Sequence, residues 1–160
     1  MSLPVNADYI ITMNYKLGAT IAEIYRAERE ARVVRPLFSC GVSAGFPSPA
    51  DDYIDSRLDL NELLIKNPAA TFFVRVAGDS MTGVGINHGD ILIVDRSLEP
   101  AHGRIIIAAV DGELTVKRLY KTACSCMLVP EHPDYPPLNI TSDMSLEVWG
   151  VVTGVVHQFI

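Results

Sequence analysis

Lysine is scarce in this chain. Only Lys16, Lys66, Lys117 and Lys121 occur among 160 residues, so chemistry that needs an amine base has few places to reside. Cysteine is scarcer still. Cys40, Cys124 and Cys126 form an odd set without regular spacing, which excludes a disulfide framework and fits a reducing cytoplasm. Cys124 and Cys126 would share a strand face, but no third and fourth ligand stand at metal-site spacing, so no metal or cofactor is expected. No apolar run approaches the roughly 18 residues of a bilayer span. The N-terminus also lacks the charged-then-apolar layout of a secretory signal. A cytoplasmic protein with no membrane partner is therefore expected. Positive charge is not in excess either: the net charge is -6 and the pI about 5.1, which argues against a nucleic-acid-binding surface and sequence-specific DNA binding.

A hydrophobic fraction of 49% in a chain of this length supports one domain with a real core. Charge is unevenly placed. Residues 1–44 carry five Lys/Arg against four Asp/Glu, a net of +1, which leaves -7 for the remainder. The spacing of Ile21, Ile24, Tyr25 and Ala31 predicts a helix over 19–34, ended by Arg35-Pro36. Residues 39–50 are small and rich in glycine and proline, and read as an extended, exposed linker of the kind where proteolytic nicking concentrates. Asp59 caps a short predicted helix through Lys66, with Glu62 three positions later and Asn67-Pro68 as the stop. Beyond it the pattern is strand and turn, with strands expected at 71–77, 91–95, 104–110, 113–120, 126–130 and 146–158. Asp111-Gly112 between two apolar runs is a strong hairpin signal. Many short strands and few helices predict a mainly β fold.

Two residues in this frame carry chemistry. Ser80 follows Gly78-Asp79 where the run Phe72, Phe73, Val74, Val76 ends. Lys117 lies inside the strand Leu114–Leu119, with Arg118 alternating to the opposite face. A serine hydroxyl needs a base to act as a nucleophile at neutral pH. An amine held among apolar groups has its charged form disfavoured and can take that proton. Glycine before the serine permits a tight backbone path, and the backbone N–H groups of Asp79 and Ser80 could meet a developing oxyanion. Lys66 lies on a polar helix and Lys16 in the N-terminal segment, which leaves Lys117 the best-placed base. The loop-borne His88 and His102 are alternatives, though nothing in the sequence orients them. The bland reading is an ordinary Gly-Asp-Ser turn and a strand lysine snorkelling to solvent. The Ser-x-x-Lys pattern of β-lactamases is absent, since residue 83 is Gly83.

Several motifs agree in order and spacing with a known family. They are Pro36-Leu37-Phe38-Ser39, Gly45-Phe46-Pro47-Ser48-Pro49-Ala50-Asp51-Asp52-Tyr53, Leu58–Ile65, Gly78-Asp79-Ser80-Met81, Gly89-Asp90 through Asp95, Ala108–Glu113 and Thr115-Val116-Lys117. From Arg35 to Val156 the chain resembles the LexA/UmuD family of self-cleaving serine peptidases, in its polymerase-associated branch. The resemblance implies a LexA/signal-peptidase-like β domain at 45–160, with a flexible N-terminal arm at 1–44 that self-cleavage removes. It implies Ser80 as nucleophile, Lys117 as general base and the Ala44-Gly45 bond as the site of cutting, with Cys40-Gly41 as a decoy. It also implies stimulation by RecA filaments on single-stranded DNA after DNA damage, a homodimer, and a UmuC-like partner in an error-prone translesion polymerase. The alternatives are a LexA-like repressor, which would need a helix-turn-helix in residues 1–44, and a non-cleaving module that only recruits a polymerase. The segment ahead of the cleavage motif exceeds the family's pattern by residues 1–20.

Overall fold

The computed structural model describes residues 19–26, 33–38 and 54–159. Among the described residues there are ten strands and one short α-helix. They run β1 (Ala19–Arg26), β2 (Val34–Phe38), β3 (Ile54–Asp59), α1 (Leu60–Leu64), β4 (Thr71–Gly78), β5 (Ile91–Asp95), β6 (Ile105–Val110), β7 (Glu113–Lys121), β8 (Cys126–Val129), β9 (Leu138–Asn139) and β10 (Leu146–Val156). The mainly β expectation holds, and each strand foreseen beyond residue 70 is present to within one or two residues at either end.

The large sheet has the order β1-β4-β5-β10-β6-β7-β8-β9, and β1 also pairs with β7. That extra pairing, at Thr20↔Thr115, brings β1, β4, β5, β10, β6 and β7 into a ring, and β9 stays at the end of the sheet order. All ladders are antiparallel. The far edge of β7 is shared: Thr115 meets Thr20 of β1, and Arg118–Lys121 meet Val129–Cys126 of β8. The strands β2 and β3 form a separate ribbon, and Pro36 sits in it without breaking a central ladder.

The helix expected over 19–34 is not there. Residues 19–26 are strand β1, and Val34–Phe38 is strand β2; residues 27–32 lie outside the described residues. The misleading signal has a physical cause. A bulge falls between Ile21 and Glu23, so that Ile21 stands opposite Val76 and Ile24 opposite Val74. Three residues of sequence become two of register, and a helix-like spacing arises within a strand. Thr20, Ile21, Ile24 and Tyr25 are all residue types that favour strands. The second helix is real but shorter than foreseen. The Asp59 carboxylate caps it, accepting from the Asn61 N–H at 2.8 Å.

The core lies inside the closed strands. Phe72, Val74, Val76, Met81, Ile86, Leu92, Val94, Ile107, Leu114 and Val116 pack as one cluster. Ile106, Ala108, Leu119, Leu128 and Val151 form a second against the other face. Met81 belongs to the first cluster and is 1% exposed. It therefore pins the turn that follows β4 to the core, directly beside Ser80.

Candidate active site

Gly78 ends β4 with φ of +94°, a conformation that costs other residues and that turns the chain sharply out of the sheet. Asp79 through Val84 form the turn, closed by a 3-10 segment at Thr82–Val84. Ser80 has no exposed surface and Lys117 is 8% exposed. Lys117 stands midway along β7, opposite Ile106 of β6.

The two side chains meet. Lys117 Nζ lies 2.9 Å from Ser80 Oγ, 3.0 Å from Thr115 Oγ1 and 3.0 Å from the Val116 carbonyl oxygen. As an ammonium it donates to all three. As a neutral amine its two N–H bonds serve Val116 and Thr115, which leaves its lone pair facing the Ser80 hydroxyl. Burial lowers the Lys117 pKa to about 8, because an uncompensated ammonium is costly away from water. Sequence reading holds Thr115 in the Thr115-Val116-Lys117 motif but gives its side chain no role. Its signal was available, since residues i and i+2 of a strand share a face.

Neither histidine alternative reaches Ser80 through a described hydrogen bond. His88 Nδ1 accepts from the Gly78 N–H at 3.2 Å, and His102 Nδ1 accepts from the Lys121 N–H at 3.2 Å. Asp79, next to the serine, accepts from Tyr135 Oη. That bond holds the Asp79 carboxyl below its ordinary range, with help from its own backbone N–H and from His132, against a smaller opposing effect of burial. Ala44 and Gly45 lie outside the described residues, as does the linker 39–50. Among the described residues no group of three or more His, Cys, Asp or Glu is placed to hold a metal, and no helix is long and apolar enough to cross a membrane.

A buried serine at a sharp strand exit, within hydrogen-bond reach of a buried lysine on a mainly β domain, is an arrangement compatible with the serine-peptidase class. The Peptidase S24-like family matches residues 36–153, and the chain belongs to that family. Protein ImpA of Salmonella typhimurium is 45% identical over 131 residues, 78% of this chain and 85% of the relative. Protein MucA of Escherichia coli is 44% identical over 133 residues, 82% and 90% of the two chains. LexA repressor 1 of Xanthomonas campestris is 37% identical over 117 residues, 73% of this chain but 58% of the repressor. The chain is accordingly an autocatalytic serine peptidase of the UmuD-like kind, as the motif resemblance implied.

Proposed function

We propose that Ser80 and Lys117 are a Ser-Lys dyad that cuts the chain's own Ala44-Gly45 bond, once, as a switch. The observation that carries this reading is the 2.9 Å approach of Lys117 Nζ to Ser80 Oγ, both side chains being buried. The neutral amine takes the hydroxyl proton as Oγ adds to the Ala44 carbonyl carbon. The backbone N–H of Ser80, with that of Asp79, receives the oxyanion. Ser80 contributes more, because the Asp79 N–H also serves its own carboxylate. The tetrahedral intermediate collapses as the ammonium returns its proton to the Gly45 nitrogen, which departs as an amine. Water then cleaves the Ala44 ester on Ser80, with Lys117 again as base. A nucleophile with no exposed surface does not meet outside peptides readily, which favours a substrate held within the same assembly.

In this reading residues 1–44 are the arm and 45–160 the retained body. A RecA filament on single-stranded DNA speeds the cut in the SOS response, and the trimmed form is a homodimer that joins a UmuC-like polymerase in the cytoplasm. The chain is 44–45% identical to ImpA and MucA and 37% identical to the repressor, which favours the polymerase-associated role over DNA binding. The test is mass spectrometry of purified protein incubated from pH 6 to 10, with and without activated RecA. The expected product begins at Gly45, and its rate climbs about tenfold per pH unit below pH 8 before levelling, as the neutral fraction of Lys117 saturates. Ser80→Ala and Lys117→Ala should each abolish it. A product starting at Gly41, or an unchanged mass under every condition, rejects the assignment.

A further inference from the structure

The dyad joins two elements distant in sequence, and one residue outside it bridges both. Glu131 follows β8. Its N–H donates to the Ser80 carbonyl oxygen at 2.8 Å, and its own carbonyl oxygen accepts from the Gly83 N–H at 2.7 Å. Its backbone thus brackets the nucleophile turn from both ends. Its carboxylate pairs with Arg118 Nε, the residue after the base on β7. Arg118 is anchored in turn, with Nη1 donating to the Gly103 carbonyl oxygen at 2.6 Å, while the Gly103 N–H donates to Leu119 at 2.7 Å. The fit at the bracket is close: a Cβ on Gly83 would come within 2.5 Å of the Glu131 carbonyl oxygen.

We propose that Glu131 is a positioning residue, which through its ion pair with Arg118 holds the Ser80 turn at the distance from Lys117 that proton transfer needs. This rests on the dyad reading above. The physical case is mechanical. Met81 fixes the turn to the core, but the Ser80–Lys117 separation also depends on how the turn sits against β7, and described hydrogen bonds reach Ser80 from only two places, Lys117 and Glu131. The Arg118 fork serves Glu131 with Nε and Gly103 with Nη1, two donors that the planar guanidinium holds in a fixed relation. Glu131 touches neither Nζ nor Oγ by a described hydrogen bond, so it acts through geometry.

The test measures self-cleavage of the full chain across pH 6–10, at a temperature where circular dichroism shows every variant folded. Glu131→Ala should lower the plateau rate ~10–100-fold, the scale expected for misplacing a reacting group by about an ångström, with the pH midpoint unmoved. Glu131→Gln keeps an acceptor for Arg118 Nε and should stay within about threefold of wild type. Gly83→Ala disturbs the same bracket from the other side and should reproduce the alanine defect, which keeps the proposal testable if Glu131→Ala does not fold. A folded Glu131→Ala within about twofold of wild type overturns the proposal, as does a glutamine variant as slow as alanine, or a midpoint displaced by a full pH unit.

Labelling by diisopropyl fluorophosphate separates this proposal from the cleavage reading. There Ser80 Oγ bonds phosphorus, fluoride leaves and Lys117 takes the proton, with no need for the arm to be cut. A wild type that labels but does not cut rejects self-cleavage and leaves positioning to be judged by labelling, where Glu131→Ala must be slower by the same ~10–100-fold. A wild type that does neither rejects both.

Discussion

Lys117 is costly to the fold because of where it sits. In the unfolded chain its amine titrates near the ordinary lysine value of 10.5, and in the folded chain near 8. Between those values the unfolded state binds more protons, so stability rises with pH from about 8 to about 10.5, and below 8 the full penalty is present. The shift corresponds to about 3 kcal/mol, offset in part by the three hydrogen bonds that the ammonium makes. Lys117→Met fills similar space without the charge. It should raise the melting temperature at pH 7 by the equivalent of about 1–2 kcal/mol, once about 1 kcal/mol is set aside for the abandoned partners. It should also abolish cutting and flatten the stability profile above pH 8. Melting curves at pH 7 and pH 10 check this. A variant less stable than wild type at pH 7 would mean that the hydrogen bonds outweigh the desolvation.

At the level of strands and turns, the hairpin between β6 and β7 gives a clean measurement. Asp111 and Gly112 both hold positive φ, 50° and 85°, and an added Cβ on Gly112 would meet nothing within 4 Å. Gly112→Ala therefore isolates backbone strain from packing. It should cost about 1–2 kcal/mol in urea unfolding, and Gly112→Asn less, since asparagine tolerates this conformation. An alanine variant as stable as wild type would remove the left-handed turn. The same element shows what the sequence made legible. Asp111-Gly112 announces its own turn, and the apolar runs on either side announce their strands, because both signals are local. Strand parity likewise put Lys117 indoors and Arg118 on the other face. β1 was not legible, since its bulge at Ala22 imitates helical spacing. Glu131 was not legible either, because its two backbone bonds to the Ser80 turn carry no residue-type signature. Only its pairing with Arg118 could have been suspected, as one of many acid–base combinations.

For the molecule as a whole, the position of the proposed cut relative to the sheet sets what cutting can do. Ala44-Gly45 falls in sequence between β2 and β3. Hydrolysis there would leave β1 and β2 on one fragment and every other element on the other. β1 is no loose appendage in this structure: it pairs with β4 from Ala19↔Gly78 to Arg26↔Phe72 and touches β7 at Thr115. Breaking one peptide bond leaves those ladders intact. The fragment 1–44 should therefore stay on the body after cutting, and its departure should be a separate, slower step that opens the edges of β4 and β7 beside the dyad. Those edges are then free to take a strand from another chain, since unpaired backbone groups are a template for one. Native mass spectrometry of a completed reaction should show 1–44 and 45–160 as one complex, and acid should separate them. Hydrogen exchange at Thr71–Gly78 should rise only once the fragment is lost. If the fragment is free as soon as the bond is cut, with β4 as protected as before, β1 does not hold it, and the change of partner must originate elsewhere than at this pair of edges.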